Sequence, residues 1–198
     1  MMFEDLIYVQ DNSLEPDFCK KVIEKFEKDD RKKKGLTGPD GEYKPDIKKS
    51  TDLKISGIDG WEEEDDVFFH SLQNGLKNYN DHCNNIHSML TFVYPNQSDT
   101  GYNIQRTKPG EFYIWHDDFT YSNCYGARMV TFIWYLNDIE EGGYTEFVGG
   151  KKIQPKTGRL LLFPSSWEYV HRGYPPKNKT KYITTGWLHT ILNGECKH

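Results

Sequence analysis

The chain has 198 residues, of which 36% are hydrophobic, 15% aromatic and 28% charged, and its formal net charge is −5. That length suits a single domain (1–198) able to bury a core. The acidic balance argues against a nucleic-acid partner held by a broad basic surface, and no apolar run approaches a membrane span, so neither nucleic acid nor membrane is expected as a partner. Cys19, Cys83, Cys124 and Cys196 are far apart, form no C-x-x-C pair and follow no secretory signal. Reduced thiols and a cytoplasmic location are the expectation.

Residues 3–9 read as a short strand. Ser13 then caps a helix with Pro16 in its first turn, and Phe18, Cys19, Val22, Ile23 and Phe26 make one apolar stripe along it. From 29 to 50 the composition shifts: Asp29-Asp30-Arg31-Lys32-Lys33-Lys34 precedes Gly35, Gly38, Pro39, Gly41 and Pro45. This reads as a long loop, either a mobile cover over a site or a solvated insertion. Residues 51–56 read as a strand. An acidic stretch, Glu62 to Asp66, suits the start of a second helix that runs to about residue 82 and buries Val67, Phe68, Leu72, Leu76 and Tyr79. His70, His82 and His87 share no helical face and read as ordinary histidines.

Beyond residue 100 the period changes to two, with Gly and Pro turns about every ten residues. Strands are expected at 102–106, 111–116, 128–136, 144–147, 151–153, 158–163, 169–171 and 181–188. Eight short strands of this kind suit a mainly β fold, a double-stranded β-helix (a cupin-like jelly roll), with the N-terminal helices as cover. The expected division is a support region at 1–100 and a jelly-roll core at 101–190. The stretch 128–136 is apolar on both faces and should be covered on both.

The run Trp115-His116-Asp117-Asp118-Phe119 closes one of these strands. Residues two apart share a strand face, so His116 and Asp118 look the same way and Asp117 the other. An imidazole and a carboxylate on one face are two thirds of a 2-His-1-carboxylate triad, the set that leaves positions open on a non-haem Fe(II). His171 lies 171 − 116 = 55 residues on, far enough for four strands to return beside His116, and is the candidate third ligand. A ferrous centre of this kind needs a two-electron co-substrate, and 2-oxoglutarate serves by chelating the metal through its keto-acid end. Its far carboxylate needs a buried cation and hydroxyls, for which Lys181, Tyr135 and Thr131 are the candidates. Met129, Thr131, Ile133 and Tyr135 are expected to share the inward face of their strand.

These motifs resemble the catalytic domain of prolyl 4-hydroxylases within the iron/2-oxoglutarate dioxygenases. The residues that carry the resemblance run from Lys108-Pro109-Gly110 through Tyr113, His116 and Asp118 to Tyr135-Leu136-Asn137-Asp138 and Gly142-Gly143-Tyr144-Thr145. They continue through Pro155, Gly158, Phe163-Pro164 and His171 to Lys181-Tyr182 and Trp187. The resemblance implies iron held by His116, Asp118 and His171, which are also the catalytic residues. It implies the 2-oxoglutarate C5 carboxylate on Lys181 with Tyr135 in support, dioxygen as reactant and ascorbate as reductant. It implies hydroxylation of a C–H bond, first of a prolyl residue in a peptide or protein. Arg128, Tyr113 and Trp187 are the candidate substrate contacts, and Trp115, Phe119 and Trp167 candidates for the mouth. The carboxylate at Asp118 favours hydroxylation over halogenation, which needs that position vacant. Thr107 departs from the tyrosine that many relatives carry two residues before the Pro-Gly. Two other readings stay open: a hydroxylase of a small molecule such as a free amino acid, and a non-catalytic jelly-roll binding module.

Overall fold

The structure is a computed structural model and describes residues 3–38, 41–92, 97–122 and 126–191. Cys124, Cys196 and Pro39 lie outside the described residues, while Cys19 and Cys83 are buried free thiols. The N-terminus opens as a 3-10 turn, Phe3–Leu6, so the strand expected from residue 3 is only β1 (Tyr8–Gln10). Extended backbone appears where it finds a partner, and the pairing begins at Tyr8, opposite Leu162. Helix α1 (Pro16–Lys28) starts at proline, whose missing N–H costs nothing in a first turn. Ser13 is not its cap: Glu15 holds that position, and the Ser13 hydroxyl pairs with Ser71 at 2.9 Å on the second helix. That helix, α2 (Glu62–Ile86), is a turn longer than expected and leaves Val67 40% exposed.

The remaining strands are β2 (Lys33–Lys34), β3 (Thr51–Lys54), β4 (Gln97–Asp99), β5 (Asn103–Thr107), β6 (Tyr113–His116) and β7 (Tyr121–Ser122). They continue as β8 (Gly126–Tyr135), β9 (Thr145–Phe147), β10 (Lys152–Ile153), β11 (Arg159–Pro164), β12 (His171–Gly173) and β13 (Lys181–Thr190). Among the described residues they form two antiparallel sheets. The larger runs β1-β11-β8-β13-β5-β3-β2, with β4 beside β13 and β7 beside β8; the smaller runs β10-β9-β12-β6. This is the expected double-stranded β-helix, with β2, β4 and β7 added beyond the sequence reading.

β8 is covered on both faces, as its composition demands. Val130, Phe132 and Trp134 pack with Val22, Phe26, Phe68 and Leu72 of the helices. Ile133 and Tyr135 pack between the sheets with Phe147, Leu161 and Phe163. β13 beside it needs a glycine: a Cβ on Gly186 would stand 2.4 Å from Phe132 Cζ and 2.5 Å from the Gly101 carbonyl oxygen. Gly186→Ala should therefore lower stability by about 1–3 kcal/mol, the usual scale of overpacking. An unchanged urea midpoint in that variant would contradict this packing.

The described part of segment 29–50 is an ordered strap. β2 pairs with β3, and the Gly35 N–H donates to the Ser50 carbonyl at 3.0 Å. The Lys49 N–H donates to Phe112 O at 2.7 Å, and the Ile114 N–H to Ile47 O at 2.9 Å. The strap thus ties the edge of the smaller sheet, at β6, to the edge of the larger one. Two of its backbone groups pair with residues 112 − 49 = 63 and 114 − 47 = 67 positions away, which local composition does not reveal.

Two β-bulges set which side chains face inward. Between β12 and β6, His171 pairs with His116 but Gly173 pairs with Tyr113, so β6 carries one residue more than its partner. Tyr113 and His116, three apart, therefore both point between the sheets, while Ile114 and Trp115 are each 41% exposed outside. Between β13 and β8, Leu188 pairs with Val130 and His189 with Arg128. Met129 is the extra residue. The expectation that it shares the inward face of Thr131 is corrected: it packs against the helix-side core, and Arg128 takes the inward position.

Candidate active site

The inter-sheet space opens into a cavity of about 700 Å³. His116, at the end of β6, Asp118, in the loop after it, and His171, at the start of β12, meet in its wall. One ligand atom from each lies within 4.8 Å of the others. His116 Nε2 is 3.8 Å from Asp118 Oδ1, and His171 Nε2 is 3.7 Å from Asp118 Oδ2. β6 stops at His116, so Asp118 reaches the centre from loop backbone rather than by strand alternation, and Asp117 instead accepts the Phe119 N–H.

Each imidazole is set for coordination. The Nδ1–H of His116 donates to the Ile114 carbonyl at 2.8 Å and that of His171 to the Tyr169 carbonyl at 2.9 Å. Both Nε2 lone pairs are left for the centre, the usual outer support of a metal-binding histidine. Burial, then the neighbouring His171, pushes the His116 imidazole down to about 3, so it is neutral at pH 7 as a ligand must be. Burial would raise Asp118, but His171, His116 and the Thr131 hydroxyl outweigh it and hold the carboxyl below its usual range. Two imidazoles and one carboxylate suit a divalent first-row ion such as Fe(II).

At one end of the cavity stands Lys181, 4% exposed. Burial pushes its ammonium down to about 8. Its Nζ donates to the Gly143 carbonyl at 3.0 Å, and among the described residues no carboxylate is within ion-pair reach of it. Beside it Gly173 leaves open the space where a Cβ would sit, 3.8 Å from Lys181 Nζ and 3.6 Å from Tyr113 Cβ. A buried cation with one carbonyl partner and adjoining free volume fits a small dicarboxylate such as 2-oxoglutarate.

Residues 102–189 match the model of the 2OG-Fe(II) oxygenase superfamily. That stretch thus resembles the superfamily, and His116, Asp118, His171 and Lys181 all fall inside it. Among its relatives are two proteins of Arabidopsis thaliana, "Probable prolyl 4-hydroxylase 3" and "Prolyl 4-hydroxylase 13". The first is 30% identical over 54% of this chain and 47% of the relative, the second 28% identical over 50% and 46%. The chain thus spans about half the length of the curated relatives it matches. In fold it is similar to the viral collagen prolyl hydroxylase of Paramecium bursaria Chlorella virus-1, with a TM-score of 0.67 at 21% identity, covering 94% of this chain and 97% of that one. It is also similar to a prolyl hydroxylase of Trichoplax adhaerens solved with a peptide fragment of the hypoxia inducible factor oxygen degradation domain. There the TM-score is 0.72 at 20% identity, over 94% and 84%.

The other expected site residues fall into two groups. Arg128, Tyr113 and Trp187 line the cavity. Arg128 lies 3.6 Å over the Trp187 ring, and its Nη1–H donates to the Asp118 carbonyl at 3.3 Å. Tyr113 stacks on His116, centroids 3.5 Å apart and planes at 15°, and burial raises its phenol to about 12. Thr107 lines the same wall, paired in register with Lys181. Phe119 stands at the mouth, but Trp115 packs under Arg172 at 4.6 Å and Trp167 is 71% exposed; neither lines the cavity.

Two expected 2-oxoglutarate donors have other partners. The Tyr135 hydroxyl donates to Thr145 Oγ1 at 2.7 Å, so Thr145, which lines the cavity, has its own proton left to give. The Thr131 hydroxyl donates to Asp118 Oδ2 at 2.8 Å and so supports that carboxylate rather than the Lys181 end of the cavity. Thr145, Ser165 and Gly173 were missed in the sequence. Thr145 follows the Gly142-Gly143 turn on the strand paired with His171, a signal that could have found it.

Proposed function

We propose that this protein is an oxygenase that binds Fe(II) through His116, Asp118 and His171 and 2-oxoglutarate with its C5 carboxylate on Lys181, and hydroxylates a prolyl residue of a peptide or protein. One observation carries the reading: the three candidate ligand atoms cluster in the wall of the cavity that holds the buried Lys181. When bound, the iron couples oxidative decarboxylation of 2-oxoglutarate to hydroxylation. Of the two oxygen atoms of O₂, one enters the substrate C–H bond and one enters succinate, with carbon dioxide released. The chain's own task is placement. Lys181 fixes the far carboxylate, with Thr145 as hydroxyl donor oriented by Tyr135. The imidazole tautomers are held by Ile114 and Tyr169 carbonyls. Arg128, locked on Trp187, presents its remaining N–H groups to a substrate carbonyl.

A peptide substrate is supported by the relatives' names and by the peptide bound in the Trichoplax adhaerens neighbour. Ascorbate is assigned as the reductant that restores iron oxidised in uncoupled turnover. The test is mass spectrometry of proline-containing peptides incubated with protein, Fe(II), 2-oxoglutarate and ascorbate. A gain of one oxygen on proline with matching succinate is the expected result. Oxidation of free amino acids but no peptide would replace this reading with small-molecule hydroxylation, and no succinate from any substrate would remove the enzyme reading.

A further inference from the structure

We infer that Thr131, held in turn by Ser165, is a positioning residue that makes Asp118 a one-oxygen ligand and thereby keeps a coordination position free for the co-substrate. The inference rests on the iron/2-oxoglutarate reading above.

Thr131 and Ser165 are each 1% exposed. Thr131 Oγ1 lies 2.8 Å from Asp118 Oδ2 and 2.9 Å from Ser165 Oγ. The direction of this chain follows from the groups themselves. An ionised carboxylate only accepts, and a hydroxyl has one proton. Thr131 must therefore give its proton to Asp118, and Ser165 must give its own to Thr131. Two hydroxyls aligned in series polarise each other, and in a buried site such a bond is strong and costly to break. The backbone fixes both ends: Thr131 sits on β8 opposite Phe163, and the Ser165 N–H donates to the Met129 carbonyl at 3.0 Å.

Both oxygens of Asp118 look toward the imidazoles, Oδ1 at 3.8 Å from His116 Nε2 and Oδ2 at 3.7 Å from His171 Nε2. The Thr131 hydroxyl donates to only one of them, Oδ2. Three single-atom protein ligands leave half of an octahedral ion open, two places for a chelating keto acid and one for dioxygen. A carboxylate that used both oxygens would occupy one of those places. By engaging Oδ2, Thr131 biases Asp118 to bind through Oδ1 alone.

The test uses Co(II) in place of iron, with calorimetry for Co(II) and for 2-oxoglutarate on the loaded protein, and visible absorption as a report of coordination number. Thr131→Val keeps the side-chain shape and removes the proton. It should bind Co(II) no more weakly than wild type, show an altered Co(II) spectrum, and lose about tenfold in 2-oxoglutarate affinity (about 1.4 kcal/mol) as one coordination place closes. Thr131→Ser should restore both readouts, and Ser165→Ala should fall between. Wild-type 2-oxoglutarate affinity in Thr131→Val, parallel loss of Co(II) and 2-oxoglutarate, or no rescue by serine would overturn the inference. Failure of the wild-type protein itself to bind Co(II) or 2-oxoglutarate would instead refute the proposed function.

Discussion

His171→Ala is expected to abolish hydroxylation and to weaken metal binding by at least about a hundredfold, the upper scale seen when only an outer partner of a ligand is lost. His171 gives the second imidazole nitrogen, and its Nε2 faces Asp118 Oδ2. Its removal leaves His116 and Asp118 with one corner of the triad empty. It also strips Asp118 of the neighbour that does most to hold the carboxylate ionised against burial. The ring sits 4.9 Å from Phe163 and 5.7 Å from Phe147, so the variant loses packing as well. Metal titration alongside a urea unfolding curve separates the two effects. A folded His171→Ala protein with wild-type metal affinity would show that the cluster is not the metal centre.

Lys181→Met is expected to act in opposite directions on the free and the loaded protein. In the free protein burial lowers the ammonium from 10.5 to about 8. At about 1.4 kcal/mol per pH unit that is about 3 kcal/mol of destabilisation at neutral pH. The methionine variant has no cation to bury and should unfold at higher urea. Its affinity for 2-oxoglutarate should fall by about 2–5 kcal/mol, the range for truncating one partner of a buried charge pair.

The pH dependence of the unmodified protein has a fixed sign. Between about 8 and 10.5 the unfolded chain holds the Lys181 proton and the folded one does not, so this residue's contribution to stability rises with pH across that window. Affinity for 2-oxoglutarate should move the other way, falling as pH passes about 8, because the carboxylate needs the charged form. Calorimetry from pH 7 to 9 reads this directly. An affinity flat across that range, or unaltered in Lys181→Met, would place the co-substrate's far carboxylate elsewhere.

Much of this molecule was legible in its sequence. Period two, turn residues every ten positions and an apolar run too hydrophobic for one face fixed a two-sheet fold with helical cover. His116, Asp118, His171 and Lys181 were recognisable because their residue types are chemically specific and their spacing suits strands. Tertiary structure decided the directions in which side chains point. Single extra residues in β6 and β8 reversed the alternation, turning Tyr113 and Arg128 inward and Ile114 and Met129 to the opposite face. A bulge has no compositional signature, since it exists only as a mismatch between two strands paired across the sheet. The strap at 29–50 and the Ser165–Thr131–Asp118 chain are likewise contacts between segments far apart in sequence. Local propensity determines which elements form; which hydroxyl meets which carboxylate is set only when distant strands close against one another.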